Sequence, residues 1–247
     1  MFVLTSLLLS ILPLSSPFLL HGASPPSLRP PSPPFSTVSL LSSPSSTPPP
    51  SPSTYTSASK AFTAGDVPLS QSLYKSLPPS PRLWQKGLVD YVAGSYKEGA
   101  AQFELDMTAN GNDAEEGLWR FACVMKGGLG GSEDPERLAR ELLVYNGRDG
   151  RPAVREAVKM YQSYLSVPRD SKLCTPSSAV EQYLSKMSST PRDVFYSDMY
   201  TGLLYDCLGE CRTKGAMYFQ SALASEYARG NGERDFMVAV VRNLCAL

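Results

Sequence analysis

The chain has 247 residues, and its charge is divided unevenly: all 23 acidic residues lie at or beyond Asp66, and only Arg29 and Lys60 are basic before it. Residues 66–247 therefore carry 21 basic against 23 acidic groups, a net charge of −2, which gives no bulk electrostatic reason to bind nucleic acid. The single histidine, His21, falls in the amino-terminal stretch, so a processed chain lacks the imidazole of Ser–His–Asp or Cys–His catalysis, His-ligated zinc and His-ligated haem.

Residues 1–23 read as a signal peptide. The apolar run from Phe2 to Leu20 is broken by Pro13 and Pro17, too short and interrupted for a membrane span. No stable span is expected after processing, although an uncleaved anchor is the competing reading. From Ser24 to Ser59, 28 of 36 residues are Ser, Thr or Pro, so 24–65 is expected to be disordered and 66–80 a linker. An acid-free, hydroxyl-rich segment behind a signal resembles the second half of a bipartite plastid leader. The same composition suits an O-glycosylated stalk on a secreted or surface protein.

Beyond residue 80 the punctuation is helical. Ser80 and Pro81 offer a cap and a first-turn proline, and Gly94 closes a run with Leu83, Trp84, Leu88, Tyr91 and Val92 at helical spacing. A helix is predicted from Tyr96 to about Thr108, and another capped by Asp113. Residues 126–131 form a loop; Asp134-Pro135 opens a helix that stops at Asn146-Gly147. Pro152 opens the next, with Val154, Val158, Tyr161 and Leu165 on one face. Ser178-x-x-Glu181 is a capping box for a helix through Leu184. Helices at Pro191–Leu208, Thr213–Arg229 and about Glu233–Leu247 complete an all-α domain over 81–247.

One spacing recurs. Gly87, Gly94, Tyr96 and Phe103 are separated by 7, 2 and 7, as are Gly202, Gly209, Cys211 and Tyr218. A glycine inside helix one permits close packing, a second glycine closes it, and the aromatic packs back. Together with segments 83–121, 146–157 and 195–210, this resembles tetratricopeptide-like proteins of algae, plants and cyanobacteria; the final helices are similar to bacterial lipoprotein scaffolds of tetratricopeptide type. The resemblance implies an irregular, right-handed solenoid of helical hairpins with no catalytic activity. Lys214 falls where Gly99 supplies a small residue, so the second hairpin is expected to pack more loosely. Trp84 and Leu88, with Met199 and Leu203, stand where a carboxylate clamp would carry Lys and Asn, so no such clamp is expected.

The candidate partner-binding residues are Trp84, Leu88, Tyr91, Trp119, Tyr196 and Tyr200, with Arg148, Asp149, Arg151 and Arg155. The aromatics line a groove or simply pack between helices. The Arg tract grips an acidic peptide or phosphate, or forms an internal salt-bridge network. The five cysteines show no C-x-x-C pair and read as small buried apolar side chains, so no metal or cofactor is expected. The glycine loop at 127–131 lacks the Lys-Ser/Thr of a phosphate-binding loop. Asp106, Glu115 and Glu116 are the nearest carboxylates for chemistry, though Glu115 and Glu116 also suit the positive end of a helix. The expectation is a non-catalytic scaffold for a protein or peptide partner.

Overall fold

The first helix, α1 (Pro52–Thr63), forms where composition predicts disorder, and α2 (Val67–Lys75) forms within the expected linker. The high Ser/Thr content hides an apolar stripe: Ala58 and Phe62 are fully buried, as is Tyr74 on α2, and Tyr55 packs against the same core. Asp66 caps α2, accepting from the Leu69 N–H at 3.0 Å. Among the described residues, helices therefore begin at Pro52 rather than at 81. The computed structural model describes residues 52–111, 113–129, 137, 141–143, 149–166, 178–187, 190–209 and 212–247.

Then come α3 (Trp84–Val92), α4 (Tyr96–Ala109), α5 (Ala114–Lys126), α6 (Pro152–Ser166), α7 (Ser178–Met187), α8 (Pro191–Leu208), α9 (Arg212–Ala224), α10 (Glu226–Arg229) and α11 (Phe236–Cys245). There is no strand among the described residues, and the fold class is all-α. Several predicted ends move for local reasons. Ser80 does not cap α3, because its hydroxyl donates to the Pro81 carbonyl and Arg82 adopts φ 93. The single helix predicted over 213–229 is split at Ser225, whose hydroxyl accepts from the Ala228 N–H and starts α10. Asp235 caps α11 in the same way. The helix predicted between Asp134 and Asn146 lies largely outside the described residues.

The hairpins α3–α4 and α8–α9 share a close contact. A Cβ on Gly87 would lie 2.7 Å from the Phe103 ring, and one on Gly202 would lie 2.7 Å from Phe219. On the second helix of each pair, a Cβ on Gly99 would meet the Gly87 carbonyl at 3.2 Å, and one on Gly215 the Gly202 carbonyl at 3.1 Å. Gly94 and Gly209 end the first helices at φ 76 and 73, a region that disfavours side chains. The aromatic of the second hairpin is thus Phe219, not Tyr218, and its small residue is Gly215, not Lys214. One extra residue between Gly209 and α9 shifts the register, so the second hairpin packs as closely as the first. Hairpin α1–α2 carries a related arrangement: Ser70 Oγ donates to the Ala58 carbonyl at 2.9 Å, Gly65 has φ 89, and Tyr74 stands sixteen residues after Ala58.

The last helix returns to the first ones. α11 packs against α1, α3 and α9. Phe236 stacks on Phe62 with centroids 4.8 Å apart and meets Trp84 edge-on at 5.7 Å. Asn243 Nδ2 donates to the buried Phe62 carbonyl at 3.0 Å. Between the two glycine hairpins, the Tyr91 hydroxyl donates to Asp206 Oδ2 at 2.6 Å, and Lys126 Nζ reaches the same oxygen at 2.5 Å. No helix among the described residues is long and apolar enough to cross a membrane.

Candidate functional site

Helix starts converge on one cleft. A cavity of about 340 Å³ is lined by Trp84 at the start of α3, Asp113, Glu115 and Glu116 at the start of α5, Arg151 before α6, Arg192 in the first turn of α8, and Asp235 at the start of α11. Leu88, Phe103, Trp119, Tyr196 and Met237 complete its walls. A second cavity of about 250 Å³ shares Glu115, Arg151, Arg192 and Tyr196 with the first and adds Gly150, Pro152, Ala153, Val154, Asp193 and Tyr200. Five helices therefore present N-terminal ends here, where unpaired N–H groups and the macrodipole favour acidic side chains. Capping supplies them: Asp113 accepts from the Glu115 N–H and Asp235 from the Met237 N–H.

Arg151 sits at the centre of the ionic network. Its guanidinium bonds Glu115 Oε2 at 2.6 Å and Asp149 Oδ2 at 2.8 Å, and also bonds Asp113. Asp149 in turn accepts from the backbone N–H groups of Ala114 and Arg151. Burial raises the Asp149 pKa, but the hydrogen bonds from Arg151 and these N–H groups outweigh it and hold the carboxyl below its ordinary value. Arg155 donates to the Asp149 carbonyl at 3.1 Å. The tract is thus an internal network that fixes the segment before α6, with Arg151 alone of the three on the cavity walls. Arg148 lies outside the described residues.

Glu115 is pushed upward by burial, opposed by Arg151 and by the Tyr200 hydroxyl, which donates to Glu115 Oε1 at 2.5 Å. Glu116 is pushed up to about 8, first by burial and then by the charges of Asp113, Asp106 and Glu115. It is only 7% exposed, and its Oε2 has no hydrogen-bond partner. Trp119, one turn further along α5 and 1% exposed, likewise has an unpartnered indole Nε1. On the opposite wall, Tyr196 donates to Asp235 Oδ2 at 2.8 Å while Arg192 lies over its ring at 5.5 Å.

Six of the ten candidates thus meet in this cleft: Trp84, Leu88, Trp119, Arg151, Tyr196 and Tyr200. Tyr91 does not, because its hydroxyl is tied to Asp206 and its ring packs edge-on against Trp119 at 5.3 Å. Sequence reasoning missed Arg192, Asp235 and Phe103 as wall residues. Asp113, Glu115 and Glu116 were recognisable as helix-start acids, but nothing in their spacing tells that four other helices begin beside them.

Cys123 and Cys207 are buried and in no disulfide, as expected of small apolar side chains, whereas Cys245 is exposed; Cys174 and Cys211 lie outside the described residues. Among the described residues no three His, Cys, Asp or Glu side chains are placed so that they could hold a metal ion together. No protein-family model, curated protein or solved structure matches the chain.

Proposed function

We propose that the helical body is a non-catalytic binding scaffold that holds a peptide or helix of a partner protein in the cleft where the helix starts meet. The observation that carries this reading is the convergence of Trp84, Trp119, Tyr196 and Tyr200 on two adjoining cavities that both border Arg151. Large aromatic side chains beside such cavities are the usual anchors of recognition, since they offer much contact area at small entropic cost. The recurring small-residue and aromatic contacts of α1–α2, α3–α4 and α8–α9 support an irregular tetratricopeptide-like kinship for the scaffold.

The leader composition supports action in the plastid, with the secreted, glycosylated-stalk protein as the competing reading. A mature start near 60–66 would remove most of α1, including Ala58, which is fully buried. The processing site proposed here therefore lies before Pro52. A fluorescent protein fused after residue 51 of an otherwise intact leader should enter the plastid of an alga with a complex plastid; secretion into the medium would favour the stalk.

Binding itself is tested by panning a random heptapeptide library against the full chain. Selected peptides should lose affinity for Trp84→Ala and Tyr196→Ala and keep it for Lys60→Ala, a change on α1 at a residue that lines neither cavity. Indifference to all three substitutions would contradict the proposal.

A further inference from the structure

The cleft leaves one acidic side chain unanswered. Asp113 and Glu115 both bond Arg151, and Asp235 accepts from the hydroxyls of Tyr196 and Tyr227 and from a backbone N–H. Glu116 lines the larger cavity, is nine-tenths buried, and its Oε2 meets no hydrogen-bonding group. The indole Nε1 of Trp119, another residue of the same wall, is also unpartnered. Buried polar groups are ordinarily paired, so two orphans beside one cavity ask for a ligand that supplies a donor to a carboxylate and an acceptor to an indole N–H.

Charge indicates which ligand. Four carboxyl groups line the cavity against two guanidinium groups; Arg151 is paired with three carboxylates, whereas Arg192 lies over the Tyr196 ring. An acidic peptide or phosphate would find one cation without a carboxylate partner, Arg192, and would face Glu116 and Asp235 beside it. A positively charged group would find Glu116 and the partly buried ring of Trp84, which attracts cations through its face. Neither Glu116 oxygen has a partner among the described residues, but Oε2 is enclosed, so a ligand in the cavity meets chiefly the other oxygen, which suits the compact ammonium of lysine better than the planar fork of arginine.

We propose that the larger cavity is the pocket for a lysine side chain of the partner peptide, with its ammonium against Glu116 and a peptide carbonyl accepting from Trp119. The proposal rests on the peptide-binding reading above and names the chemistry that reading leaves open. The chain's two tryptophans, Trp84 and Trp119, both line this cavity, so intrinsic tryptophan emission reports its occupancy directly.

The test uses peptides selected from the heptapeptide library, resynthesised with norleucine in place of each lysine. Lysine should be enriched at one position, and its norleucine analogue should bind about tenfold or more weakly by tryptophan emission. Glu116→Gln should weaken the lysine peptide equally and leave the norleucine analogue unchanged, whereas Glu116→Asp, which keeps the charge, should retain part of the affinity. Selected peptides that bind and perturb the emission, but tolerate norleucine, would overturn the lysine pocket and leave the peptide scaffold standing. If no library member binds, the scaffold reading fails and n-butylammonium becomes the probe. An emission change that Glu116→Gln abolishes would then keep the ammonium site, and silence would overturn it.

Discussion

Glu116 also makes the stability of the fold depend on pH in a calculable direction. Its carboxyl is raised from 4.5 to about 8 in the folded chain, chiefly by burial. A folded-state value above the unfolded one means that the native protein binds the proton more tightly. The associated stability is therefore fully present below about pH 4.5 and is lost as pH rises through about 8. The full gap corresponds to at most about 5 kcal/mol. The helix N-terminus favours the ionised form and water entering the cavity screens it, which reduces the expected effect to on the order of 2–3 kcal/mol. Glu115, Asp106 and Asp198 are raised as well, each first by burial, so wild type alone cannot isolate the residue. The comparison with Glu116→Gln does. In urea unfolding at pH 5.5 and 8.5, wild type should lose on the order of 2 kcal/mol more stability than Glu116→Gln between the two conditions. Equal losses in the two proteins would refute the assignment of a buried, unpaired carboxyl at this position.

Other perturbations follow from the same packing. Arg151→Ala should destabilise the fold by about 1–3 kcal/mol, because it leaves buried Asp149 and half-buried Glu115 without their cation; a neutral effect in chemical denaturation would show that the network is not needed. Gly87→Ala should cost about 1–3 kcal/mol, since three Phe103 ring atoms lie within 2.9 Å of the added Cβ; an unchanged Tm would contradict the close contact. Gly94→Val should be destabilising although open space surrounds the position, because φ 76 is strained for a β-branched residue. Asp206→Ala should cost about 2–4 kcal/mol by stranding the Tyr91 hydroxyl and Lys126, and Asp206→Asn should recover part of the loss in the same melts.

The helical class and most element ends were legible because capping and periodicity are local. Asp113, Pro152, Pro191 and Gly209 each act within a turn of their own position, and α5, α6 and α8 begin or end where those signals stand. Hydroxyl counting failed for α1, because a stripe of Ala58 and Phe62 needs few apolar residues to bury once α11 supplies the other side. The repeat was half visible. A fixed spacing finds Gly87 and Gly202, but the single residue inserted before α9 moves the packing partner from Tyr218 to Phe219. The aromatic anchors were recognisable as large side chains at helical spacing; their meeting with Arg192 and Asp235 was not, since these residues lie 73 or more positions from every α5 residue of the cleft. Only the return of α11 to α3 closes that wall.

The most direct test of the cleft as the binding site is a nitrogen–proton spectrum of the full chain labelled only at its two tryptophan indoles. Adding a library-selected peptide should shift both indole signals, with Trp119 moving downfield as its unpartnered N–H gains an acceptor. A peptide that binds by calorimetry while both signals stay fixed would contradict the account.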